Sequence, residues 1–179
     1  MTASNRYVAL MRGINVGGNN KLPMRDLASI FEDAGCTEVA TYIQSGNVVF
    51  RATTGIVKKL SGTISTRIKT TFGLSLPIVL RSREALLRAV ANIPFPPSEL
   101  DRVHVMFLRD TPDANAIASL DPNRSPGDVF RVVGSDIFIR CDTVAKTKLT
   151  NAYFDSRLST VSTLRNWRTV LKLAEMVNG

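Results

Sequence analysis

Histidine and cysteine are scarce in this chain of 179 residues, which has one histidine, His104, and two cysteines, Cys36 and Cys141. One histidine and two scattered thiols cannot furnish a standard zinc site, so no metal is expected. The cysteines lack C-x-x-C spacing and read as reduced thiols, which makes the cytoplasm the expected address and a disulfide framework improbable. No apolar run approaches the roughly 20 residues of a membrane-spanning helix. The opening Met1-Thr2-Ala3-Ser4-Asn5-Arg6 has no signal-peptide hydrophobic region, so no membrane partner is expected. Acid is missing over a long stretch as well. Between Glu38 and Glu84 there is none, against Arg51, Lys58, Lys59, Arg67, Lys69, Arg81 and Arg83.

What is present is ordinary in amount and uneven in placement. Hydrophobic residues make up 44% and charged residues 21%, which suits a soluble globular chain and argues against disorder. The net charge of +8 sits mostly in the first half: residues 1–90 carry twelve Lys/Arg and five acids, residues 91–179 eleven and ten. Such a block favours an anionic partner, either nucleic acid or a phosphate-bearing small molecule. A solvated basic face with no partner is the plainer alternative.

The hydrophobic pattern resolves into two units. An apolar run at 6–12 enters a glycine loop, and a helix follows from Pro23 to Gly35 with Leu27, Ile30, Phe31 and Ala34 on one face. Two β-like runs, 39–44 and 48–51, are joined by Ser45-Gly46-Asn47, a hairpin signal. Residues 56–72 are helical again, and 76–80 form a fourth strand whose Pro77 argues for its start or an edge. The order β-α-β-β-α-β marks a ferredoxin-like half over 1–82. A helix at 83–91 and a proline-rich linker complete 83–101. The pattern then restarts over 102–179: strand 103–108, a short helix with Thr111 as N-cap, a hairpin of 130–133 with 137–141, and helices at 147–158 and 163–177, the last with Leu164, Trp167, Leu171 and Ala174 on one face. The second half therefore reads as a degenerate copy ending in helices, in an α+β fold of two ferredoxin-like (α-β plait) halves. The strands at 7–11, 48–50, 78–80 and 103–108 are apolar on both faces, so the face away from the helices must also be covered, by the other half or by a second subunit in a homodimer. That counts against an RNA-recognition module, whose open sheet carries stacking aromatics.

Topology predicts a site. The second strand of a split βαβ unit runs parallel to the first, so the loop after the first strand and the hairpin after the second lie at one sheet edge. The loop "RGINVGGNNK" carries Arg12 and Lys21 as cations and Asn15, Asn19 and Asn20 as amides. Gly13, Gly17 and Gly18 could turn backbone N–H groups toward an anion. Its predicted neighbour is Gln44-Ser45-Gly46-Asn47. It is neither a Walker loop nor a dinucleotide fingerprint, and no cofactor is implied. The structural alternative is a turn with solvated asparagines. Lys148 with Thr147 and Thr150, and Arg165 with Asn166, would complete an oxyanion pocket if the last helices return to that rim. Otherwise Arg165 lies on a solvated helix face. Trp167 reads as a core residue from its place on the apolar stripe. His104, mid-strand among apolar residues, reads as a packed structural residue.

At "RGINVGGNNKLPM", "TYIQSGNVVF" and "RNWRTVLKL" the chain closely resembles the bacterial family called domain of unknown function 1697. Members of known structure imply two ferredoxin-like halves, and no established activity comes with the resemblance. Its motifs map onto Arg12 to Asn20, Gln44 to Asn47, Pro94-Phe95, Lys148-Leu149-Thr150 and Arg165-Asn166-Trp167. The chain departs before Lys148, where the family commonly has a glycine-bearing stretch and this sequence has Asp142 to Thr147 without glycine.

Three functions fit these residues. The first is an anion binder, for nucleic acid, a nucleotide or another phosphate. The second is an enzyme on a phosphorylated or carboxylated small molecule, with Arg12, Lys148 and Arg165 clamping an oxyanion. Neither loop carries Asp, Glu, His or Cys, so catalytic residues stay unassigned; Ser45 would need Lys21 or Lys148 as its base. The third is an oligomeric scaffold.

Overall fold

The computed structural model describes residues 4–179. The chain divides into two units, one running through Leu87 and taking in Leu173–Gly179, the other Arg88–Lys172. In the first, β1 (Ser4–Met11), α1 (Met24–Asp33), β2 (Thr37–Tyr42), β3 (Asn47–Thr53), α2 (Thr54–Phe72) and β4 (Ile78–Ser82) build a sheet of order β2-β3-β1-β4. β1 and β2 are both antiparallel to β3 and so run the same way. This is the ferredoxin-like order, and β4 with Pro77 just before it is indeed an edge strand. Helix α3 (Arg83–Ala91) and a 3-10 turn at Pro97–Arg102 follow.

The second unit repeats the plan. Strands β5 (Val103–Leu108), β6 (Val129–Val133), β7 (Asp136–Arg140) and β8 (Ser162–Asn166) form a sheet of order β6-β7-β5-β8, with helices α4 (Ala114–Ala118) and α5 (Asn151–Leu158). The fourth strand is present, so this half is complete rather than degenerate. The stretch 163–177, which reads as one helix, divides at Asn166: β8 pairs along β5, and only α6 (Trp167–Asn178) is helical. Leu164 satisfied a helical period but serves the sheet. The buried stripe of α6 is Trp167, Val170, Leu173, Ala174 and Val177, and Leu171, expected on it, is 44% exposed. Two helix starts also differ from expectation. Asp113, not Thr111, caps α4 by accepting from the Ala116 N–H at 2.8 Å. Helix α5 starts at Asn151 rather than 147, because the Thr150 hydroxyl accepts from the Tyr153 N–H.

Duplication is visible in matching contacts. The Met11 N–H donates to Gly46 O at 2.9 Å, and the Leu108 N–H to Ser135 O at 2.9 Å. The Arg12 N–H donates to Pro77 O at 3.1 Å, and the Arg109 N–H to Val161 O at 2.7 Å. Register agrees: Leu10 faces Asn47 as Phe107 faces Asp136, and Val8 faces Arg81 as Val105 faces Arg165.

Each sheet buries one face under its helices. Ala9, Met11, Val48 and Phe50 meet Leu27, Phe31, Leu60, Ile64 and Ile68; Met106, Leu108, Ile137 and Ile139 meet Phe154 and Leu158. The opposite faces are buried as well, by Val8, Leu10 and Val49 and by Val105, Phe107 and Phe138, as strands apolar on both sides require.

Candidate functional site: the loop rim of the first unit

The glycine loop is a finger. Asn15 N–H donates to Asn20 O at 3.2 Å and Asn19 N–H to Val16 O at 3.0 Å, closing a two-residue hairpin whose bends are Gly17 at φ +57° and Gly18 at φ +80°. Positive φ at both central positions is the type I′ turn, which explains the glycine pair without any ligand. A Cβ at either glycine would meet nothing within 4 Å among the described residues, so both tip positions are open.

Turn and finger do meet, as the parallel course of β1 and β2 predicts. Asn15 fastens them. Its Nδ2 donates to Gln44 O at 3.0 Å and Leu22 O at 2.8 Å, while its Oδ1 accepts from the Leu22 N–H at 2.8 Å. Asn20 Nδ2 donates to Gly13 O at 2.8 Å. Asn47, fully buried at the start of β3, donates from Nδ2 to Tyr42 O and to Ser45 Oγ. Three of the four motif asparagines thus spend their amides in holding backbone. Gly46 allows the close approach: at φ +73°, a Cβ there would lie 2.7 Å from Ile14 Cδ1 and 2.8 Å from Met11 Cβ.

Outward from this frame face Gly17, Gly18, Asn19, Lys21 and Gln44, with Arg12 half-buried. The α1 helix begins behind them at Pro23 without a side-chain cap, and its Arg25 lies 4.0 Å from Asp26. Two apolar side chains join the rim unannounced by any sequence signal. Val16 is 63% exposed on the finger and Ile43 is 50% exposed on the turn. Ile43 also sits at φ +48°, a region that β-branched residues rarely enter. Such strain persists only where the surroundings impose it, and it concentrates at functional sites.

The C-terminal candidates belong to the second unit, and the structure accounts for each locally. Lys148 is exposed, and its N–H donates to Ser125 Oγ, while the Thr147 hydroxyl accepts from the Leu149 N–H. Asn166 Oδ1 caps α6 by accepting from the Thr169 N–H at 2.8 Å. Arg165 is on β8, not on a solvated helix face, and is 8% exposed, with its guanidinium donating to Thr163 Oγ1 and Leu164 O. Burial pulls its pKa down to about 10, which leaves it charged at neutral pH. Trp167 lies in the core as expected.

Nucleophiles are poorly placed. Burial pushes the Cys36 thiol up to about 11 and, with the charges of Asp128 and Asp142, raises Cys141 as well. Among the described residues, no three His, Cys, Asp or Glu side chains gather to hold a metal ion, and no helix is long and apolar enough to cross a membrane. His104 is half-buried rather than packed in the core.

A family model, Protein of unknown function (DUF1697), matches residues 4–138. The chain belongs to this family. Finger and turn both fall inside the matched span of this DUF1697 member; residues 148–150 and 165–167 lie beyond it. A search of curated proteins finds no match. Among solved structures, the conserved bacterial protein SP0830 from Streptococcus pneumoniae is similar at 26% identity with a TM-score of 0.73, over 98% of this chain and 99% of that one. The likeness therefore spans both ferredoxin-like halves.

Proposed function

We propose that the rim of finger 12–21 and turn 43–47 binds a polyanion, with nucleic acid the class that suits its form. The observation that carries this reading is the rim itself: a finger fastened by Asn15, bearing Arg12 and Lys21, with no acid from residue 12 to 25. An open tip suits an extended backbone better than an enclosed metabolite. Backbone N–H groups at Gly17 and Gly18 add donors for phosphate oxygens. Val16 and Ile43 supply apolar contact beside the cations, the mixture that sugars, bases and phosphates present together. Lys58, Lys59, Arg67 and Lys69 on the exposed side of α2 give the same unit a positive field that speeds encounter. The rim has no general acid or base, which favours binding over catalysis.

The test is fluorescence anisotropy with a labelled single-stranded oligonucleotide at low salt. Arg12→Ala and Lys21→Ala are each expected to weaken binding several-fold, and Lys146→Ala in the second unit to leave it unchanged. Equal affinity in all three variants refutes the reading.

A further inference from the structure

The second unit carries a cavity of about 560 Å³, lined by Leu100, Asp101, His104, Asn166, Trp167, Arg168 and Leu171. That volume falls within the range of small-molecule sites, roughly 300–1,000 Å³. Its position follows from the fold. His104 and Asn166 face each other across β5 and β8, the 3-10 turn supplies Leu100 and Asp101, and the first turn of α6 supplies Trp167 and Arg168.

The lining has a definite chemistry. Leu100, Trp167 and Leu171 form apolar walls, and Leu171 stays 44% exposed although α6 has a well-formed buried stripe on another face. Arg168 enters no ion pair among the described residues, so its charge is available to the cavity. His104 has its Nδ1 4.0 Å from Cys141 Sγ; burial lowers its pKa against the opposing effect of a hydrogen bond to the Arg102 backbone, so the ring is neutral at neutral pH. Asp101 in the same lining repels a second negative charge, which excludes polyphosphates and separates this site from the rim of the first unit.

We propose that this cavity binds a small aromatic monoacid: the carboxylate pairs with Arg168, the ring lies against Leu100, Trp167 and Leu171, and a polar edge meets His104. Arg168 suits a carboxylate because its planar fork matches the two oxygens. Asp101 sets the charge limit.

Trp167 is the sole tryptophan of the chain, so it reports directly on occupancy. Phenylacetate titrated into the full chain should give a saturable change in tryptophan fluorescence with a dissociation constant on the order of millimolar or tighter. The neutral isostere phenylacetamide should bind at least tenfold more weakly. Arg168→Met should lose at least tenfold in phenylacetate affinity with unchanged thermal unfolding, since Arg168 is exposed. Asp101→Asn should tighten binding, and Arg12→Ala, on the other unit, should not alter it. Absence of saturation, equal binding of the amide, or an unaffected Arg168→Met overturns the proposal.

Discussion

Replacing Gly46 by alanine isolates the contact that brings turn and finger together. Two costs arise at once. The backbone sits at φ +73°, and a non-glycine residue in that region is disfavoured by roughly 1–2 kcal/mol. The added methyl also lands 2.7 Å from Ile14 Cδ1, 3.1 Å from Ile14 Cγ1 and 2.8 Å from Met11 Cβ. Ile14 and Met11 are themselves buried at 1% and 0% exposure, so neither can swing aside freely. Overpacking of this kind costs about 1–3 kcal/mol, which makes the expected destabilisation about 2–5 kcal/mol. Gly17→Ala is the control, because it pays the same backbone cost at φ +57° with nothing within 4 Å. Urea unfolding followed by circular dichroism should give a lower midpoint for Gly46→Ala than for Gly17→Ala, the difference measuring the clash alone. Equal midpoints would refute the claim that close packing of turn on finger requires this glycine.

Asn15→Ala removes three hydrogen bonds, strands the buried Leu22 N–H and places alanine at φ +53°. A loss of about 2–4 kcal/mol is expected, with faster amide exchange at Leu22 as the specific signature. An unprotected Leu22 amide already in the parent chain would contradict it. Cys36 makes stability pH-dependent: its thiol is held at about 11 against an ordinary 9, so above pH 9 the unfolded chain releases its proton first. Stability should therefore fall as pH rises from 9 to 11, by about 1.4 kcal/mol per unit. Cys36→Ala should remove that part of the slope, and parallel profiles would refute the assignment.

Much of this architecture is legible in the sequence, and what is not has physical causes. The convergence of finger and turn follows from one rule, that a crossover helix makes β1 and β2 parallel. The strand β5 shows plainly because it is a short, nearly continuous apolar run, and α3 lies at 83–91 as expected. The strand β8 does not, since Leu164 fits the helical period of Trp167 and Ala174, and only pairing along β5 decides the matter. That misreading carried Arg165 onto a solvated helix, whereas its strand position buries it. The asparagines show a subtler limit. Composition marks Asn15, Asn20 and Asn47 as amide-rich, but whether an amide faces a ligand or its own backbone depends on contacts several residues away. Ile43 carries no sequence signal, because strain is a property of the backbone that holds it.

The central claim is that the acid-free rim of the first unit grips a polyanion through Arg12 and Lys21. Its most direct measurement is the salt dependence of oligonucleotide affinity for the parent chain and for the Arg12→Ala/Lys21→Ala double variant. Each phosphate contact contributes about 0.7 to the log–log slope on a single strand, so the double variant should be shallower by about 1.4. Identical slopes, or an affinity in the parent chain that salt does not change, would contradict the account.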